Sequence, residues 1–161
     1  MREIERKFLV SDDTFRREAF RSTHIAQGYL CSRRVTARVP IRGEEAFLTI
    51  KGKSHDGGLS RFEWERPIPV RCAEQLLRRC RGVVEKVRYE VRHGDHIWEV
   101  DCFEGENEGL VVAEVELRAT DEQPALPAWI WKEVTGVRYY HNSFLARCPY
   151  KSWLTNLAVS K

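Results

Sequence analysis

The chain has 161 residues, 42% hydrophobic and 32% charged, with a net charge of +3. That length suits one domain spanning 1–161 with a sizeable core. The near-balanced charge argues against a nucleic-acid binder, whose domains are strongly basic, and no run approaches the ~20 apolar residues of a membrane span. The opening Met1-Arg2-Glu3-Ile4-Glu5-Arg6-Lys7 is charged where a secretory signal needs an apolar core. Five cysteines (Cys31, Cys72, Cys80, Cys102 and Cys148) show no CxxC pair and no histidine at zinc spacing. They read as free thiols of a reducing compartment, which places the protein in the cytoplasm.

Most of the chain alternates apolar and polar residues, the period of a strand. The expected strands are 2–10, 24–30, 34–42, 45–53, 59–69, 83–93, 95–104 and 110–118. Arg42-Gly43-Glu44, Gly57-Gly58 and His93-Gly94-Asp95 supply turns between them. Between the first two strands, Ser11-Asp12-Asp13 offers capping chemistry for a short helix over 14–20. Cys72, Leu76, Leu77 and Cys80 form one apolar stripe that predicts a helix over 72–81, stopping at Gly82. Asn142 is placed to cap a last short helix over 143–146, and an amphipathic segment over 153–159 reads as a barrel cap or as the interface of a homodimer. The expected fold is α+β but mainly β: an antiparallel sheet, open or closed into a barrel, with a few flanking helices.

The charges follow the alternation. Glu3, Glu5 and Lys7 oppose Ile4 and Phe8; Arg61, Glu63 and Glu65 oppose Phe62 and Trp64. Lys86, Arg88 and Glu90 oppose Val87, Tyr89 and Val91; Glu114 and Glu116 oppose Val115 and Leu117. Thr49 with Lys51, and Glu99 with Asp101, continue the pattern. Successive strand side chains point to opposite faces, so each strand has one ionisable face. A one-sided sheet with a solvated face explains alternation alone. The narrow E-x-E and K-x-R repeats, set against aromatic opposite faces, fit a barrel with its charges turned inward. Such a lumen must hold water, ions and ligand, because buried charge is costly unless paired or metal-bound. Carboxylates two apart suit a hard divalent cation, and Arg and Lys suit phosphate oxygens.

Glu3-Ile4-Glu5-Arg6-Lys7 resembles the ExExK signature of the CYTH domain family, also called triphosphate tunnel metalloenzymes. The likeness continues in family order through Gln27-Gly28-Tyr29-Leu30, Leu48-Thr49-Ile50-Lys51-Gly52 and Leu59-Ser60-Arg61-Phe62-Glu63-Trp64-Glu65. It then runs through Val84-Glu85-Lys86-Val87-Arg88-Tyr89, Glu99-Val100-Asp101, Ala113-Glu114-Val115-Glu116-Leu117, Glu133-Val134-Thr135-Gly136 and Tyr139-Tyr140. The resemblance implies a closed eight-stranded antiparallel β-barrel, or tunnel, that acts on a small-molecule triphosphate with Mg²⁺ or Mn²⁺. It implies a metal-binding cluster of Glu3, Glu5, Glu114 and Glu116, with Glu63, Glu65 and Asp101 nearby. It implies a phosphate-binding set of Lys7, Arg38, Lys51, Arg61, Lys86, Arg88 and Arg138. Glu3 and Glu5 are the catalytic carboxylates in that reading, and Lys86 with Tyr29 assists.

Inorganic tripolyphosphate is the leading substrate. A nucleoside or thiamine triphosphatase, a class IV adenylate cyclase and a non-catalytic polyphosphate-binding module are the alternatives. One departure stands out: the family's third strand carries R-x-R, and here Arg38 is followed by Pro40, with Arg42 next on that face. Proline removes a cation and a ladder N–H. His24, His55, His93, His96 and His141 read as surface residues, Asp56-Gly57-Gly58 as a turn, and the tryptophans as packing under helices, with Trp129 and Trp131 candidates for a tunnel lid.

Overall fold

The alternation becomes a closed wall. The structure, a computed structural model, describes residues 2–32, 35–80 and 82–153. Its strands are β1 (Arg2–Val10), β2 (Arg21–Ser32), β3 (Thr36–Arg42), β4 (Glu45–Lys51), β5 (Ser60–Ile68), β6 (Val83–His93), β7 (His96–Phe103), β8 (Val111–Glu116) and β9 (Ile130–Glu133). Neighbours pair antiparallel in the order β5-β4-β3-β2-β6-β7-β8-β1, and β1 returns to β5 through Glu3↔Arg61 and Ile4↔Ser60. The sheet therefore closes into the expected eight-stranded barrel.

β1 divides one of its edges. Its first residues pair with β5, and its last, Phe8 to Val10, pair with β9. The sequence reading has no strand at 130–133, because four residues offer too short an alternation to register. The strand forms because β1 outruns β5 and leaves backbone groups that need partners.

The tight turns at Gly43 and Gly94, both at φ +58, join β3 to β4 and β6 to β7 as expected. Gly136 lies at φ +72, and a Cβ there would come within 2.0 Å of the Gly57 carbonyl oxygen. That contact lets the loop after β9 lie on the 3₁₀ turn of Asp56–Gly58.

The apolar faces point out of the barrel, so the core lies outside the wall. Helix α1 (Phe15–Glu18) is a single turn, shorter than predicted. The backbone N–H of Thr14 donates to Asp12 Oδ1 at 2.9 Å, which turns the chain into it. Phe15, Phe8, Val91, Trp98, Val100, Val115 and Trp129 pack together under this turn. Trp129 meets Phe15 and Trp98 edge-on, with centroids 5.9 and 6.0 Å apart, and its Nε1 donates to Glu18 at 2.8 Å.

Helix α2 (Val70–Leu77) starts two residues earlier and ends four earlier than predicted, and it buries Ala73 against Val39 and Ala46 with Val70, Leu76 and Leu77 partly buried beside it. Cys72, assigned to the apolar stripe, is exposed, because the packed face runs through Val70, Ala73, Leu76 and Leu77 and leaves it to one side. Gly28 permits the approach: a Cβ there would lie 2.6 Å from Cys80 Sγ. Helix α3 (Asn142–Leu145) begins at Asn142 itself, so His141 holds the N-cap position in place of Asn142 and makes no side-chain cap hydrogen bond. The predicted segment 153–159 lies outside the described residues apart from Trp153, which packs on Tyr139, Tyr140, Phe144 and Tyr150. Trp129 is a core residue and no lid, whereas Trp64 and Trp131 are 41% and 69% exposed. Among the described residues no helix is long and apolar enough to cross a membrane.

Candidate active site in the barrel lumen

Closure turns the ionisable face of each strand into a lumen of about 1150 Å³. Ion pairs line it on two sides, joined through Glu5, which pairs with both Lys7 and Arg61. On one side Lys86 and Arg88 of β6 converge on Asp101 of β7. Lys86 Nζ contacts Asp101 Oδ2, while Arg88 donates to Oδ1 through Nε at 2.7 Å and to Oδ2 through Nη2 at 2.7 Å. Arg88 also reaches Glu99, and Glu114 at 3.1 Å. Glu114 is in turn held by Lys7, which lies 3.3 Å from Glu5.

On the other side Lys51 donates to both oxygens of Glu3, at 2.8 and 2.9 Å, and pairs with Glu63. Arg61 bridges Glu3 and Glu5 at 2.8 and 2.7 Å. Arg38 lies 3.4 Å from Gln27 Oε1, and Gln27 donates to the Tyr29 hydroxyl at 3.1 Å.

These networks set the protonation states. Burial alone would raise Glu3, yet Lys51 and Arg61 hold it down to about 2. Burial opposes the carboxylate of Glu114 too, but Lys7 and Arg88 keep it well below its ordinary range. Burial pushes Lys86 down to about 8 despite Asp101, and pushes the Tyr29 phenol up to about 12. Tyr29 is therefore a neutral hydrogen-bond donor at physiological pH and no base.

Glu116 behaves differently. Burial and the charges of Glu3, Glu99, Glu63 and Glu5 all raise it. It sits across the β1–β8 ladder from Glu5, and no ion pair or hydrogen bond of its side chain occurs among the described residues. Among the described residues no three lumen carboxylates bring ligand atoms within 4.8 Å of one another, but carboxylate oxygens on neighbouring strands, with Glu116 left without a cation partner, are the donor type that suits a hard divalent cation.

A pH prediction follows for Glu3. Its carboxyl lies below the ordinary 4.5 in the folded chain, so its ion pairs stabilise the fold fully above that value and cease to do so as pH falls through about 2. The stability difference between the wild type and Glu3→Gln, read from urea melts across pH, is expected to be constant above 4.5 and to vanish near 2.

The predicted strand residues of the site line the lumen or its far end, except Asp101, which is fully buried behind Lys86 and Arg88. Asp101 has both oxygens engaged by Lys86 and Arg88, and Glu65 has both engaged by Arg42 (2.9 and 3.0 Å) and Thr49 (2.7 Å). Arg42 also stacks on Phe47 at 4.9 Å. Beside buried Pro40 the amide of Gln27, its ladder partner, links Arg38 to Tyr29.

Arg138 lies apart from the networks, in a second compartment of about 360 Å³ at the α3 end of the lumen. There the structure adds residues that the sequence reading leaves out, Asn142 and His141. His141 is half-buried and not a surface residue. His96, likewise read as surface, is mostly buried and bonds Glu122 at 2.9 Å. On the outer wall, exposed His24, Glu85 and Glu104 bring ligand atoms within 4.8 Å of one another, away from the lumen.

A closed antiparallel barrel whose lumen interleaves carboxylates with Lys and Arg defines a class of proteins that holds polyanions together with cations inside the sheet. The profile of the CYTH domain matches residues 1–148, and the chain belongs to that family. An inorganic triphosphatase from Acetivibrio thermocellus is 41% identical over 155 residues, covering 94% of this chain and 97% of that one. Another from Nitrosomonas europaea is 38% identical, covering 91% and 97%. The crystal structure of the inorganic triphosphatase NE1496 superposes with a TM-score of 0.63 at 32% identity, covering 89% of this chain and 93% of that one.

Proposed function

We propose that this chain is a metal-dependent inorganic triphosphatase that hydrolyses tripolyphosphate to diphosphate and phosphate inside the barrel, with Mg²⁺ or Mn²⁺. The observation that carries the reading is Glu116, an uncompensated carboxylate among Glu3, Glu5, Glu63 and Glu99, facing a basic wall. A carboxylate left without a cation among other carboxylates has a charge that a divalent cation would balance. The inorganic triphosphatases that share 41% and 38% identity support the substrate.

Glu3, Glu5, Glu63 and Glu116 are the residues we assign to the metal, with Glu114 beside them. Asp101 and Glu65 serve to hold the cations they bind. When bound, the divalent ion neutralises phosphate oxygens and lowers the pKa of a bound water. Lys7, Arg38, Lys51, Arg61 and Arg88 bind and align the triphosphate, and Arg138 attracts it at the far end. Glu116, the carboxylate with no cation partner, accepts a proton from the attacking water. The water oxygen bonds to a terminal phosphorus as the bridging P–O bond breaks, and the diphosphate leaves with its charge met by the basic wall. Lys86 and the neutral Tyr29 hydroxyl orient the phosphate oxygens by donating hydrogen bonds. The free cysteines support a reducing, cytoplasmic location.

The test is phosphate release from tripolyphosphate, ATP and thiamine triphosphate with Mg²⁺, Mn²⁺ or chelator. Metal-dependent turnover fastest on tripolyphosphate is expected. Preference for an organic triphosphate, cyclic AMP formation from ATP, or binding without turnover would each overturn the assignment.

A further inference from the structure

Gln27 is buried at 2% exposure on the inner face of β2, two residues before Tyr29. Across the ladder Gln27 pairs with Pro40, and Tyr29 pairs with Arg38. Proline has no backbone N–H and no polar side chain, so the residue opposite Gln27 offers no donor to its amide oxygen. The amide is shared between two neighbours instead. Arg38 Nη1 lies 3.4 Å from Gln27 Oε1, and Gln27 Nε2 donates to the Tyr29 hydroxyl at 3.1 Å.

This arrangement has a direction. An amide can sit either way round, and its neighbours decide which. A guanidinium only donates, so the atom that faces Arg38 is the oxygen, and the NH₂ faces Tyr29. The phenol oxygen has one proton and two lone pairs. With a lone pair taken by Gln27, the Tyr29 proton cannot point back at the amide and is donated elsewhere. Burial pushes the phenol up to about 12, so the proton is in place at physiological pH. The compartment that Tyr29 borders presents Lys7, Arg38, Lys51 and Arg61 and, among the described residues, no Asp or Glu. An anion that accepts the proton there arrives with the ligand.

We propose that Gln27 is a positioning residue that aims the Tyr29 hydroxyl proton at a triphosphate oxygen by holding the phenol oxygen as an acceptor. It acts through Tyr29 and not on the phosphate itself. Its part in turnover rests on the triphosphatase reading; the direction of the Tyr29 proton does not.

Gln27→Glu tests this, because a carboxylate keeps the size and the contact with Arg38 but only accepts, and so draws the Tyr29 proton toward itself. The expected result on tripolyphosphate is a kcat about ten- to a hundredfold lower, the range for one hydrogen bond to a charged oxygen. KM should change little, since Arg38 keeps its support. Tyr29→Phe should cost as much, and adding Gln27→Glu to it should cost nothing further. Should the carboxylate prevent folding, Gln27→Met carries the same kcat cycle. In chelator-treated protein without substrate, tyrosine isotope-labelled at Cζ reports the proton's direction by NMR. The Tyr29 resonance, identified by its loss in Tyr29→Phe, should move in both Gln27 variants, and downfield in Gln27→Glu. Additive losses, an unchanged kcat in Gln27→Glu, or an unmoved resonance would each overturn the proposal. A moved resonance in a protein with no turnover on any triphosphate would sink the triphosphatase reading and leave the proton's direction standing. Turnover with an unmoved resonance would do the reverse.

Discussion

Glu116→Gln is expected to cut tripolyphosphate turnover by about 10²–10⁴-fold, the range for losing a positioned proton acceptor. The amide keeps size and hydrogen bonding but neither charge nor basicity. Its stability signature separates this role from a structural one. The folded chain raises Glu116 above the ordinary 4.5, through burial and four neighbouring carboxylates. A carboxyl raised in this way destabilises the fold once it ionises, at pH above its unfolded value. Glutamine removes that repulsion, so without metal the variant should melt at the wild-type temperature or slightly higher. With saturating Mn²⁺ it should lose most of the stabilisation that ligand binding gives the wild type. A variant that melts lower without metal, yet retains its metal-induced rise and its turnover, would remove Glu116 from the metal site.

Arg88→Ala carries the other large effect, and it acts on folding first. Arg88 donates to Asp101 through two nitrogens and also reaches Glu114 and Glu99. Asp101 is fully buried, and without Arg88 it keeps Lys86 as its one cation among the described residues. Breaking a buried ion network by removing one partner costs about 3–5 kcal/mol, read as a fall in unfolding free energy from urea titration. Arg88→Lys should recover little of it, because an ammonium cannot reproduce the forked geometry. Adding Asp101→Asn to Arg88→Ala should restore part of the stability, since neutralising the stranded carboxylate removes the penalty. It should not restore turnover, because the basic wall still lacks a cation. Full recovery of activity in that double variant would mean that Arg88 serves folding alone.

The local rules written in the residues account for much of this. The alternation of Glu3, Glu5 and Lys7 with Ile4 and Phe8 identifies both the strand and its two faces, because side-chain direction on a strand has a period of two. The same rule places Arg61, Glu63, Lys86, Arg88, Glu114 and Glu116 on one surface, and the glycine turns place the hairpins. The ordered motifs point to the family. What no local rule contains is partnership. Glu114 and Glu116 stand two residues apart with the same alternation, yet one is clasped by Lys7 and Arg88 and the other has no cation partner among the described residues. Arg42 looks available in the sequence and is already bound to Glu65. β9 exists only because β1 extends past β5 and needs a neighbour.

The sequence by itself thus determined which side chains share the inner face and what kind of ligand they suit. The tertiary structure alone decided which charges are paired, which are left over, and that the lumen ends in a basic compartment beside Asn142 and His141. The reason is physical: facing is set by backbone geometry one residue at a time, whereas pairing depends on distances between strands far apart in the chain, fixed only when the barrel closes.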